Sequence, residues 1–292
     1  MKRKLIILLG PTGSGKTERS ISLAQQYDSP IISCDSRQLY REMRIGTAVP
    51  SDEQLATVRH YFIRDHSVTL PYTAAMYEQE ALELIGRLFD EGHDTLVACG
   101  GSMFYIEALC GGIPDVPAAD EGLRAELQER LRAEGGLEEL RAQLHAIDPE
   151  AYAAIDISNP ARVLRAMEVR LQTGRSITEF KLEEPRKRGF EIEKIGIARP
   201  REELYARINS RARRMMEDGL FDEVRGLEQY RSLPALQTVG YREVFDWMDA
   251  HPGEAPSPDE AIRIADAIAL NTRHYAKRQH TWWRRDSAIK WI

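Results

Sequence analysis

An α/β fold, with a parallel sheet flanked by helices and a smaller all-helical insertion, is predicted by three features of the 292-residue chain. Short apolar runs at 4–9, 31–34 and 95–99 alternate with helix-period segments, the pattern of a doubly wound sheet. Two of these runs close on glycines, at Gly10 and at Gly100–Gly101. Between 118 and 185 strand character stops, and charged segments rich in Leu, Ala, Arg and Glu follow one another.

Taken in order, Lys4 to Leu9 is a continuous apolar run, as expected of a strand covered on both faces. A helix is predicted from Lys16 through Ala24, then a short strand from Ile31 that ends at Asp35. Thr73 to Gly92 places Ala74, Tyr77, Ala81, Leu84, Ile85 and Leu88 on one helical face. A third strand covers Thr95 to Cys99, and a helix opens at Ser102. Strand character returns at Ile192 to Ala198, followed by helices over 201–219 and 261–285 and an edge strand at 288–292. The expected division is a core of 1–117 and 186–292 with a helical insertion at 118–185.

Composition narrows the function. With 42% hydrophobic and 29% charged residues, disorder is excluded as the dominant state. The first apolar run is too short for a membrane span or a signal-peptide core, so a cytoplasmic protein without membrane contact is expected. The three cysteines, Cys34, Cys99 and Cys110, form no C-x-x-C pair, so neither zinc nor disulfides are indicated. The net charge of −6 argues against a polyanion partner. Bases nevertheless cluster over 162–214 and 273–285, and local patches decide where a polyanion can sit.

The strongest motif is Gly10, Pro11, Thr12, Gly13, Ser14, Gly15, Lys16 and Thr17, which satisfies G-x-x-x-x-G-K-[ST] between a strand and a helix. Glycines let backbone N–H groups converge on one anion, the helix N-terminus adds partial positive charge, Lys16 supplies an ammonium and Thr17 a hydroxyl for Mg²⁺. Such a loop holds a di- or triphosphate without specifying which. Kinases and nucleotide hydrolases usually carry an Asp on a neighbouring strand to order the metal's waters. Here the strand at 95–99 runs into Gly-Gly-Ser. The nearest carboxylate is Asp35, which suits a general base, an indirect magnesium ligand or a simple helix cap. Ser36 and Gln38 carry groups able to read a base edge.

Five segments together resemble the tRNA dimethylallyltransferases: GPTGSGKT at 10–17, DSRQLYREMRIGTAVP at 35–50, GGSMFYIEALCGG at 100–112, VGYRE at 239–243 and NTRHYAKRQHTWWRR at 271–285. They come in the family order and span nearly the whole chain. The resemblance implies a P-loop NTPase-like core that holds dimethylallyl diphosphate where a kinase holds ATP. It implies Mg²⁺ as cofactor and the anticodon stem-loop of tRNA as partner. The acceptor would be N6 of adenosine 37 in tRNAs reading codons that begin with U. A monomer is expected.

Carried over residue by residue, the resemblance makes Asp35 the base and gives Lys16 and Arg211 the diphosphate. It gives Asp35, Ser36, Arg37, Gln38 and Ser102 to the RNA, together with Arg124. Further RNA contacts fall on Ala161, Arg162, Val163, Leu164 and Arg165, on Gln237, Thr238, Val239, Gly240, Tyr241 and Arg242, and on Arg273 and Lys277 of the last helix. Arg207 and Arg214 share a helical face with Arg211 and are read as a solvated basic row. Two departures stand out: Ser102 replaces the family's threonine, and a His-rich stretch is reduced to Arg59-His60-Tyr61-Phe62, so His60 is read as structural. At least one of Trp282 and Trp283 is expected in the core. Rival readings are a P-loop small-molecule kinase, a prenyl transferase that uses free AMP or ATP as acceptor, and a non-enzymatic RNA-binding regulator, which would not need Lys16 and Thr17 together.

Overall fold

The computed structural model describes residues 3–292, and its centre is β1 (Lys4–Leu9), where Leu5 to Leu9 are all at most 2% exposed. Burial on both faces explains why this strand shows no polar alternation. The elements that follow are α1 (Lys16–Gln26), β2 (Ile31–Ser33), α2 (Asp52–Thr57), β3 (His60–Tyr61), α3 (Ala74–Asp90), β4 (Thr95–Gly100) and α4 (Met103–Gly111). Next come α5 (Glu121–Arg132), α6 (Gly136–Ile147), α7 (Pro149–Ala154) and α8 (Pro160–Thr173). The chain ends with β5 (Glu191–Gly196), α9 (Arg201–Glu217), α10 (Leu220–Gly226), α11 (Tyr241–Ala250), α12 (Pro258–Trp283) and β6 (Ile289–Trp291).

The six strands form one parallel sheet in the order β3-β2-β4-β1-β5-β6. Register pairs Leu9 with Gly100 and Ser33 with Cys99, so β1, β2 and β4 end at one level. The loops after these strands therefore meet at the carboxyl edge of the sheet, where ligands of such folds collect. One core packs β1, β2 and β4 against α3 and α4 through Ile7, Ile32, Tyr77, Ile85 and Leu109. A second core is built from α9, α10, α11 and α12, with Ile208, Leu220, Tyr241 and Ile268 at its centre.

The chain divides into two compact units, Met1–Gly112 with Arg186–Ile292, and Ile113–Pro185. The second unit starts before 118 because the segment leading into it is tied to α8. Arg165 Nη2 donates to Pro117 O (2.6 Å) and Gln172 Nε2 to Ala118 O (2.9 Å). Its own core contains Leu127, Leu140, Leu144, Val163 and Met167. Capping sets its helices: Asp120 and Asn159 accept backbone N–H bonds at two starts, and Gly174, in the left-handed region (φ 72°), stops α8.

Three local details differ from the sequence expectation. The last helix begins at Pro258, because Ser257 and Glu260 form a reciprocal capping box with proline in the first turn. The segment 59–62 holds a two-residue edge strand, and β5 ends at Gly196, before Ala198. The expected Trp in the core is Trp283, 3% exposed; Trp282 packs on Phe104 and donates to Glu107 (2.8 Å). Among the described residues no helix is long and apolar enough to cross a membrane.

Candidate active site

The loop 10–17 folds as its glycines dictate. Gly13 (φ 84°) and Gly15 (φ 90°) occupy the left-handed region, and a Cβ on Gly13 would stand 3.2 Å from Ile208. Lys16 Nζ bends back to donate to Gly10 O and Pro11 O, both at 2.9 Å. Three arginines also reach this loop. Arg199 Nε donates to Ser14 O (2.5 Å), Arg207 Nε to Gly13 O (2.9 Å) and Arg211 Nη1 to Thr12 Oγ1 (3.4 Å). Arg207 and Arg211 are one turn apart on α9, which is why both arrive. Arg207 is thus not merely a solvated residue, and Arg199 is a loop contact that the sequence pattern does not reveal.

Charge at this loop is unbalanced. Arg199 pairs with Glu203, but Lys16, Arg207 and Arg211 have no carboxylate within ion-pair distance among the described residues. Burial pulls the Lys16 ammonium down to about 8, with Arg211 adding to the effect and Asp35 opposing it. Burial, then the neighbouring Arg207, likewise lowers Arg211. Ser14 Oγ is buried without a hydrogen-bond partner among the described residues. Half-buried cations without a carboxylate partner, as Lys16 and Arg211 are here, are costly, whereas Arg207 is exposed. An anion seated among these groups would remove that cost.

Facing this loop is the turn 35–38. Asp35 Oδ1 accepts from Arg37 N (2.9 Å) and Gln38 N (3.3 Å), which makes it a turn cap. Its Oδ2 has no hydrogen-bond partner among the described residues, so capping leaves half of the carboxylate available. Ser36 N donates to Ser102 Oγ (2.7 Å), and the two hydroxyls are 3.0 Å apart. Gln38 Nε2 donates to Thr47 O (3.2 Å) and Ala48 O (2.9 Å), while Arg37 reaches the carbonyls of Pro234 and Ala235. The loop at 44–46 is fixed by a group absent from the sequence expectation. Glu223 accepts from the amides of Arg44, Ile45 and Gly46 (3.0, 2.7 and 3.0 Å) and from the Tyr241 hydroxyl (2.6 Å).

Both loops line one cleft of about 370 Å³. Thr12, Gly13, Gly15, Lys16 and Arg211 form one end, and Asp35, Ser36, Arg37, Gln38 and Ser102 another. Gln237, Thr238, Val239 and Arg242 line it too, and Ile208, Ala212, Met215 and Ile268 supply apolar wall. Cys99 also reaches the cleft, with burial holding its thiol above the usual range. Tyr241 does not line it: its side chain is fully buried. On α12, Tyr275 and Arg278 line the cleft, Arg273 Nη1 donates to Asn209 (2.5 Å), and Lys277 is exposed.

Within the unit 113–185, Ala161 and Arg162 are exposed at the start of α8, whereas Val163 is fully buried in the core and Leu164 packs against it. Arg124 donates to both oxygens of Glu168 (2.7 and 2.9 Å), and Arg165 also reaches Glu168 (3.2 Å). Glu168 is 2% exposed, so this ion cluster is part of the unit's packing.

A parallel sheet with a glycine-rich phosphate loop after β1 and a polar turn after β2 defines a P-loop NTPase-like fold, here without a carboxylate at the tip of β4. The chain belongs to the IPP transferase family, whose model matches residues 38–286. It is similar to tRNA dimethylallyltransferase 1 of Bacteroides thetaiotaomicron, 46% identical over 288 residues, covering 99% of this chain and 91% of the relative. It is similar also to tRNA dimethylallyltransferase 2 of Porphyromonas gingivalis, at 47% with 99% and 93% coverage. Among solved structures, the full-length tRNA isopentenylpyrophosphate transferase of Bacillus halodurans superposes with a TM-score of 0.68 at 34% identity, covering 100% of this chain and 90% of that one. A eukaryotic dimethylallyltransferase acting on tRNA shares the fold, with a TM-score of 0.75 at 22% identity and coverage of 99% and 73%.

Proposed function

We propose that this protein transfers the dimethylallyl group of dimethylallyl diphosphate to N6 of adenosine 37 in tRNAs reading codons that begin with U, giving N6-dimethylallyladenosine and diphosphate. The observation that carries this reading is the trio of cations without carboxylate partners, Lys16, Arg207 and Arg211, gathered on the loop that faces a half-free Asp35 across one cleft. Membership of the IPP transferase family supports prenyl transfer to tRNA, and the cleft's chemistry agrees with it. The diphosphate sits on loop 10–17, and the five-carbon tail lies along Ile208, Ala212, Met215 and Ile268. The adenine leaves its stack in the single-stranded loop at modest cost and meets Ser36, Gln38 and Ser102.

An adenine amine is a weak nucleophile, so two aids are needed. As N6 bonds to C1 of the allyl group, the C1–O bond breaks and its electron pair leaves with the diphosphate, stabilised by Lys16, Arg211 and the loop amides. Asp35 Oδ2 takes the N6 proton. The donor set fits Mg²⁺. Thr17 Oγ1, at the start of α1, is a hard oxygen without a hydrogen-bond partner among the described residues, and Asp35 Oδ2 is left free to act as the base. Mg²⁺ typically takes one or two protein oxygens, phosphate and water. When bound it would neutralise charge on the departing diphosphate.

Nucleoside mass analysis tests the proposal, using an anticodon stem-loop incubated with protein, Mg²⁺ and dimethylallyl diphosphate. One five-carbon increment on a single adenosine is expected. Unmodified RNA, with phosphoryl transfer from ATP or prenylation of free AMP instead, would overturn it.

A further inference from the structure

Gln279 belongs to none of the residues read as functional from the sequence, yet it sits where three parts of the site join. It lies near the end of α12 on the buried stripe with Ala276 and Trp283, and is 1% exposed. A buried glutamine amide must satisfy both ends. Here Oε1 accepts from Thr12 N (3.0 Å) and Nε2 donates to Gly101 O (2.7 Å). The amide orientation is fixed, since a flip would set donor against donor and acceptor against acceptor.

The partners give this bridge its meaning. Thr12 belongs to the loop read as holding the leaving group. Gly101 precedes Ser102, whose hydroxyl holds Ser36 at 2.7 Å, next to Asp35. An unbroken path therefore runs from Thr12 through Gln279, Gly101 and Ser102 to Ser36. Gly101 lies so close that an added Cβ would stand 2.7 Å from Gln279 Nε2. Thr12 and Gly101 lie in loops after two different strands, and Gln279 links them by side-chain hydrogen bonds at the cleft.

We infer that Gln279 is a positioning residue that sets the separation between the leaving-group loop and the acceptor turn. This rests on the reading of the two loops given above. Displacement at carbon requires the incoming nitrogen and departing oxygen to be in line, and a misplacement of about 1 Å can cost about 100-fold in rate. Gln279 contacts neither reacting atom; its effect passes through Thr12 and Ser102.

The test compares wild type with Q279M, which keeps length and volume but removes both hydrogen bonds. Turnover is measured on an anticodon stem-loop, pyrophosphate affinity by titration calorimetry, and folding by thermal melting. A positioning role predicts that kcat falls about 10- to 100-fold while pyrophosphate affinity stays within about threefold. A kcat within about threefold of wild type overturns the inference, and so does an equal loss of kcat and pyrophosphate affinity, which would mark general damage to the loop. Should Q279M not fold, Q279E carries the same comparison. It keeps an acceptor for Thr12 N and loses the donor to Gly101 O, with a kcat loss of about tenfold expected and the same overturning results. If neither variant folds, Gln279 is a folding residue and the inference fails. Wild-type protein that leaves the RNA unmodified would instead refute the proposed function, so the two failures are distinct.

Discussion

Arginine occupies two contrasting settings in this molecule. In the unit 113–185, Arg124 and Arg165 converge on the buried carboxylate of Glu168, so each charge meets its opposite inside the fold. At loop 10–17, Arg207 and Arg211 join Lys16 around backbone carbonyls and a threonine hydroxyl, with no carboxylate within ion-pair distance among the described residues. The first arrangement is complete without a ligand. The second is the arrangement expected of the diphosphate site proposed for this loop, and this difference separates it from a packing ion cluster. Sequence alone does not separate them, because both sets are arginines on amphipathic helices.

The comparison can be broken most directly at Lys16. K16M should lower kcat/KM for prenyl transfer by about 1,000-fold, the upper range for removing a preorganised donor to developing charge. A loss under about tenfold would place the anion elsewhere. D35N tests the other side of the cleft and should cost about 100-fold in kcat with diphosphate affinity nearly unchanged, read by single-turnover kinetics and calorimetry.

A smaller effect is expected from pH. Lys16, pulled down to about 8, is charged below that value and neutral above it. Affinity for a non-reactive allylic diphosphate should therefore be constant below pH 8 and weaken by up to about tenfold per unit above it. K16M should flatten that profile, and an unchanged slope in the variant would assign the titration to another group. Smallest at the cleft is the effect of E168Q. It should lower the unfolding free energy by about 2 kcal/mol, because it leaves two partly exposed guanidiniums poorly paired, yet leave pyrophosphate affinity unaltered. Chemical denaturation beside calorimetry reads both quantities, and a loss of pyrophosphate binding would erase the contrast between the two settings.

Much of this is legible in the chain. The strands β1 and β4 show as apolar runs because they are buried on both faces, and the phosphate loop shows because glycine spacing and its strand–helix context are local properties. The cleft residues Lys16, Asp35 and Ser102 stand in motifs of the same local kind, whereas Arg211 is singled out by the family resemblance alone. What stays hidden is long-range. Gln279 meets Thr12 across 267 positions and Glu223 meets Gly46 across 177, and neither spacing leaves a periodic trace. One signal for Gln279 is present: a glutamine on the helix stripe shared by Ala276 and Trp283 interrupts an otherwise apolar face. Arg207 escapes pattern reading for the opposite reason, since an arginine row reads as solvated until a partner's backbone is known.

Gly100 gives the scaffold its mechanical tolerance. A methyl group there would stand 2.2 Å from Cys34 O, so β2 and β4 approach at their tips more closely than any side chain permits. One added carbon would act as a wedge driven between neighbouring strands. Both tips open directly into the cleft, so its thickness would be passed on undamped to the gap that the migrating five-carbon group has to cross.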